Sequence, residues 1–196
     1  QKSYTSALKY HRARNLDRME RRYDAFFAYL RLVREHPEDE NAELFHYAAF
    51  IKASDIGYIK EVLELGENYL AMPNYRLYRT AVFVKLITAY FQLENYDKVH
   101  LHGRQFMREY PEHAYATSAV HFMGFAWTRL EQLDTLESEL GAYVKTHQQA
   151  PMGQSAHYWI GITQVVKQEF ESARGHFQFG GVHFKNGGFY LSLRET

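Results

Sequence analysis

The stretch RTAVFVKLITAYFQLENYDKVHLHGRQFMREYP, residues 79–111, decides the fold. Phe83, Leu86, Ile87 and Tyr90 recur at i, i+3, i+4 and i+7, the spacing of one face of an α-helix. The polar turn Glu94-Asn95-Tyr96-Asp97 interrupts them, and a second helix carries Val99, Gly103 and Phe106. Pro111 stops that helix, because proline lacks an N–H and disfavours helix at the residue before it. The unit is helix A, tight turn, helix B, breaker.

The unit repeats. Moving 37 residues along the chain gives Val120, Met123, Gly124 and Trp127, and a further 37 gives His157, Ile160, Gly161 and Gln164. Helix B keeps the same offset: Val99, Leu136 and Ala173 correspond, as do Gly103, Leu140 and Phe177. Glycine inside a helix costs about 1 kcal/mol relative to alanine, so Gly124 and Gly161 imply a neighbouring helix at close approach. A period between 20 and 50 residues means a solenoid. Upstream, Leu44, Tyr47, Ala48 and Ile51 read as a helix A stripe offset by 39, with two extra residues around Ser54-Asp55-Ile56-Gly57. The first helix B runs from about Arg18 to Glu35, and its partner, from Tyr4 to Arg14, fits the stripe poorly, as an end cap would.

The four prolines, Pro37, Pro73, Pro111 and Pro151, stand 36, 38 and 40 residues apart. Pro151 falls about three residues late, which predicts that the joint His147–Gly153 is the longest. Gly180-Gly181 is expected to end or loosen the last helix, and Phe189 to Leu193 to form a short helical turn or strand-like segment. The expectation is one all-α domain over 1–196, a right-handed solenoid of about five helix pairs. Its repeats cover 4–37, 38–73, 74–111, 112–151 and 152–184, with a tail from 185 to 196.

Composition narrows the function. The 23 Lys+Arg balance 23 Asp+Glu, so no global field draws the chain to nucleic acid. Arg12, Arg14, Arg18, Arg21 and Arg22 interleave with Asp17, Glu20 and Asp24, which reads as a solvated helix face. With no Cys there are no disulfides and no thiolate metal sites. No apolar run is long enough for a membrane helix. The start at Gln1 is compatible with a trimmed chain, including one released from an upstream signal and lipid-carrying Cys.

Phe83, Leu86, Ile87, Tyr90, Tyr96, Val99, Phe106 and Pro111 together resemble the tetratricopeptide repeat. The last unit matches at Gly161, Ala173, Phe177 and Gly180, and the first at Ala25, Tyr29 and Pro37. The joints Arg34-Glu35-His36-Pro37 and Arg108-Glu109-Tyr110-Pro111 are similar to those of bacterial cell-envelope repeats. That group includes the outer-membrane assembly lipoprotein BamD and the Tol–Pal-associated periplasmic coordinator. The resemblance implies a non-catalytic scaffold in a periplasmic or lipid-anchored complex. It would take a protein or peptide partner, and no cofactor. A cytoplasmic adaptor of the same fold is the alternative, and a homo-oligomer is compatible with either.

The same resemblance puts the partner on the concave face. The lining positions would be Phe45 and Ala49, Val84 and Thr88 with Phe91, His121 and Phe125 with Arg129, and Tyr158 and Ile162 with Val165. The family's Lys/Asn clamp for a terminal carboxylate is missing from these sites. An apolar, aromatic groove suits a helix or an extended segment, although the same residues could pack against the tail or a second copy. The other reading is a histidine-dependent metal enzyme, since the chain has 11 His. Spacing argues against it: His100 and His102 are two apart, on different helix faces, and no His-Glu-x-x-His occurs. Glu61, Glu64 and Glu67 read as a solvated face, and Gly180-Gly181 and Gly187-Gly188 lack the context of a phosphate loop.

Overall fold

The computed structural model describes residues 2–147 and 151–184. Among them the secondary structure is entirely helical, in five A–B pairs. The pairs are α1 (Lys2–Arg18) with α2 (Arg22–Glu35), α3 (Ala42–Asp55) with α4 (Ile59–Ala71), and α5 (Arg79–Gln92) with α6 (Tyr96–Glu109). They continue with α7 (Ala116–Arg129) and α8 (Leu133–Thr146), then α9 (Pro151–Val166) and α10 (Phe170–Phe184). The chain divides into two compact units, 1–89 and 90–196, with the border inside α5.

The turn inside each pair sets the register. Glu20, Gly57, Glu94, Glu131 and Gln168 all have positive φ, between 55° and 75°. Each stands 37 residues after the one before. At Glu94 the backbone N–H donates to Phe91 O at 3.0 Å, and Asn95 N–H donates to Tyr90 O at 2.9 Å. The other four turns make the equivalent pair of bonds. This left-handed cap satisfies the last carbonyls of helix A and reverses the chain. Glycine is the usual residue there, and four of the five positions are Glu or Gln.

The 37-residue period therefore runs through the whole described chain, and the 39-residue offset at the second repeat is corrected. No extra residues lie around Ser54–Gly57. Phe83, Leu86, Ile87 and Tyr90 correspond to His46, Ala49, Phe50 and Ala53, all buried, whereas Leu44, Tyr47, Ala48 and Ile51 are half-buried. Two further expectations change. Pro151 is the first residue of α9, where its missing N–H costs nothing. The joint 147–150 is thus shorter than 36–41, 72–78 and 110–115, the reverse of the expectation. Helix α10 also continues through Gly180-Gly181 to Phe184. Phe189 to Leu193 lies outside the described residues.

In the first unit α1, α2, α3 and α4 pack in chain order. In the second, α6 to α10 do the same, and α7 also packs on α9. Helical glycines admit a large side chain from a neighbouring helix. A Cβ on Gly66 would stand 2.7 Å from Leu86, one on Gly103 2.4 Å from Met123, and one on Gly161 2.8 Å from Phe177. A Cβ on Gly124 would stand 2.3 Å from the Trp159 indole. What approaches closely is thus a bulky side chain.

Candidate binding surface

The corrected register defines the partly exposed row on α3, α5, α7 and α9. It comprises Tyr47, Ile51 and Ser54, then Val84, Thr88 and Phe91, then His121, Phe125 and Thr128, then Tyr158, Ile162 and Val165. The two units are taken in turn.

In the first unit, Phe45 and Ala49 are 1% and 0% exposed and offer a partner no surface. Their assignment to the groove came from the 39-residue offset. The row runs instead through Tyr47, whose ring stacks on Tyr78 at 4.0 Å and 2°. Val84 and Thr88 are half-buried, and Thr88 Oγ1 donates to Val84 O at 2.8 Å.

The second unit gathers aromatic rings on this row. Phe91 packs against Phe122 at 4.7 Å and Phe125 at 5.2 Å between centroids. The Arg129 guanidinium lies 5.7 Å from the Phe125 ring centre, a cation–π contact. Arg129 is out of register with Phe91 and Val165; Thr128 holds that position, its hydroxyl donating to Gly124 O at 2.9 Å. Beside this group, Trp159 Nε1–H donates to His121 Nδ1 at 2.9 Å. His121 also meets the Tyr158 ring at 6.0 Å, and Tyr158 meets Phe177 at 6.2 Å. Phe125 and Val165 are exposed, and Ile162 is half-buried.

Trp159 and Phe122 are the members that sequence reasoning missed. A sequence signal for Trp159 existed: a helical glycine at Gly124 requires a large partner, and Trp159 is one of only two tryptophans. His121 accepts its bond at Nδ1, so the proton sits on Nε2, and burial pushes its pKa below the usual imidazole value. The site is therefore neutral apart from Arg129. It can bury apolar or aromatic groups and offers little general acid–base chemistry.

His46, His100, His102, His157 and His176 serve packing. His46 Nε2–H donates to Leu65 O at 2.9 Å, and His100 Nε2–H to Met123 O at 3.3 Å. His100 stacks on Trp127 and His102 on Tyr90, so the two face different rings. His157 and His176 share one proton between Nδ1 atoms 2.7 Å apart. Among the described residues no three His, Asp or Glu side chains converge as a metal would require. No helix among them is long and apolar enough to cross a membrane.

No family model matches the chain, and no curated protein matches it. Its likeness is to solved structures. MamA from strain AMB-1 is 15% identical, with a TM-score of 0.61 and 97% of each chain covered. MamA from Desulfovibrio magneticus RS-1 is 15% identical, with a TM-score of 0.58, over 93% of this chain and 97% of that one. The Podosopora anserina kinesin light chain with nearly identical TPR-like repeats is 14% identical, with a TM-score of 0.51, over 93% and 96%. The protein is thus an all-α helical-repeat chain of the solenoid class. Its fold is that of the tetratricopeptide-repeat structures.

Proposed function

We propose that this protein is a non-catalytic interaction scaffold. The helix A row of its second unit captures an apolar helix or extended segment of a partner protein. The observation that carries this reading is Phe125, a phenylalanine 39% exposed beside Phe91 and under Arg129. Rigid aromatic anchors flanked by an arginine are the residues that dominate binding energy at protein interfaces. The fold supports the reading, since helix pairs at a fixed period present extended surfaces of this kind.

Phe125→Glu tests it. Partner capture from an extract of the source cells should be lost, while stability changes by no more than about 0.5 kcal/mol, as for a surface position. If the variant unfolds, Phe125 belongs to the core and the surface is misassigned. A bacterial envelope setting is part of the proposal and rests on the two joints Arg34–Pro37 and Arg108–Pro111. A signal and a Cys immediately upstream of Gln1 would support that setting; a plain initiator Met there would refute it.

A further inference from the structure

The row of the second unit carries one imidazole, His121, and its hydrogen bond fixes what a second proton does there. Trp159 Nε1–H donates to His121 Nδ1 at 2.9 Å. An indole N–H can only donate, so the imidazole must supply the lone pair. A second proton on the ring can go only to Nδ1, the atom already engaged. Protonation therefore sets two donors against each other and ends the bond. His46 and His100 are wired the other way: each donates from Nε2 to a carbonyl, a bond that an imidazolium keeps.

Gly124 decides which ring moves. A Cβ there would stand 2.3 to 2.6 Å from three atoms of the Trp159 indole, so the indole fills a fitted space. His121 is half-buried on the row and is free to turn outward. Its charge then arrives between Tyr158, whose ring centre lies 6.0 Å away, and Phe125, one turn along α7. The Arg129 guanidinium already stands against Phe125. A second cation on this row makes the burial of an apolar segment cost the desolvation of a charge.

The groups around His121 leave its charge uncompensated. From α9 it faces Tyr158 and Trp159, and the charged residue of α7 is Arg129, two turns away. Helix α5 brings Phe91 to this face. On α6, His100 turns to Trp127 and Arg104 to Glu139, and on α8 Glu137 turns to Lys167. Burial is the cause that lowers the His121 pKa, so its charge change falls below the ordinary imidazole value of about 6.5.

We infer that His121 is an acid switch on the capture surface: with Nδ1 bare the row takes an apolar segment, and with Nδ1 protonated it lets the segment go. The switch rests on capture by this row and supplies its regulation. A segment that binds the neutral ring keeps full affinity above about pH 6.5 and loses up to about tenfold per pH unit below the ring's own value.

The probe is a rhodamine-labelled, acetylated and amidated peptide of about ten residues in which Phe and Leu alternate with Ser. It carries no group that titrates in this range, so a pH dependence belongs to the protein. Fluorescence anisotropy with the full chain should show binding at about pH 7.5 and a Kd about tenfold weaker at about pH 5. His121→Gln keeps an acceptor for Trp159 Nε1–H without the titration, and its affinity should be the same at both pH values. His100→Gln, which keeps a donor for Met123 O, should behave as the parent does. The Trp159 indole N–H resonance should move over the same pH range in the parent and stay fixed in His121→Gln. Circular dichroism at both pH values checks that each protein is folded. A peptide that fails to bind at the higher pH refutes capture by the row, and the switch with it. Equal binding at both pH values, a His121→Gln variant that still releases the peptide, or a Trp159 indole that ignores pH overturns the switch alone and leaves capture standing. Release that accompanies a loss of helicity overturns it too.

Discussion

The two units follow one 37-residue register and treat the same tyrosine position differently. Tyr69 in the first unit and Tyr143 in the second are equivalent positions, each burying a hydroxyl beside the joint that follows helix B. Tyr69 donates to the Glu43 carboxylate and accepts from Tyr78 N–H at 3.0 Å, while Glu43 also accepts from Leu77 N–H at 2.6 Å. The carboxylate ties α3, α4 and the joint 72–78 together. Tyr143 Oη is buried with no hydrogen-bond partner among the described residues. Burial pushes its pKa up to about 12. Glycine seats occur in both units, Gly66 under Leu86 in the first and Gly103 under Met123, Gly124 under Trp159 and Gly161 under Phe177 in the second, where no polar tie accompanies them at Tyr143. A repeat fold therefore fixes backbone spacing and leaves each joint to be closed by polar bonds or by packing.

Gly124→Ala should have the largest effect. Its Cβ would stand 2.3 to 2.6 Å from three atoms of the Trp159 indole, so the ring must leave its seat. Displacement would also break the bond from Trp159 Nε1 to His121. Overpacking of this kind costs about 1–3 kcal/mol, more than the helix-propensity gain of alanine. Denaturant unfolding measures the cost, and Trp159 fluorescence should report the exposed ring. A variant as stable as the parent would show that the glycine seat is not what holds α7 to α9.

Tyr69→Phe against Tyr143→Phe breaks the comparison directly. Removing the Tyr69 hydroxyl takes a charge-assisted bond from Glu43, worth about 1.5–3 kcal/mol, though Leu77 N–H still serves the carboxylate. A loss of about 1–2 kcal/mol is expected. Tyr143→Phe removes a buried hydroxyl without a partner and should be neutral or stabilising. Equal losses at both positions would mean that the two joints are closed in the same way.

Much of this is legible in the sequence. Ile87, Gly124 and Gly161 carry the period openly, because α5, α7 and α9 each have an apolar stripe with a distinct small or β-branched member. Helix α3 hides it. Phe45, His46, Ala49, Phe50 and Ala53 line its buried side while Tyr47 and Ile51 stand on the other, so apolar residues surround it and two registers fit. That ambiguity misplaced Phe45 and Ala49. The turn residues would have resolved it, but glutamate in the left-handed region is rare enough that Glu20, Glu94 and Glu131 do not announce themselves as partners of Gly57. In the second unit the row at Val165, Ile162 and Phe125 fell in register because the glycines had already fixed α7 and α9.

Acid should separate the units. His100, His121, His157 and His176 in the second unit, and His46 in the first, all have pKa values pushed down, with burial the largest cause. A base whose folded pKa lies below its unfolded value, about 6.5, contributes stability above that value. The contribution is lost progressively as pH falls below about 6.5 toward the folded values. With four such imidazoles against one, hydrogen-exchange protection in α7 to α9 should fall faster than in α3 and α4 between about pH 7 and pH 5. His157→Gln with His176→Gln should flatten the difference. Parallel loss in both units would assign the acid sensitivity to something other than these rings.

The smallest effects sharpen the comparison at the turns and helix surfaces. Glu94 adopts φ 55° at a position where Gly57 serves in the first unit, with φ 75°. A left-handed non-glycine residue is strained by about 1–2 kcal/mol, and glycine loses part of that gain through its freer unfolded chain. Glu94→Gly should therefore stabilise by about 0.5–1 kcal/mol, and Gly57→Ala should destabilise by a similar amount. Gly141, within α8, has nothing within 4 Å of where a Cβ would stand. Gly141→Ala should gain about 0.5–1 kcal/mol from helix propensity alone. Its sign is opposite to that expected for Gly124→Ala, although both glycines are helical and lie 17 residues apart in the same unit. If Gly141→Ala also destabilised, glycine in this unit would be required for something other than the large side chains seated on it. Opposite signs would show that the seat, rather than the residue's flexibility, is what the second unit uses glycine for.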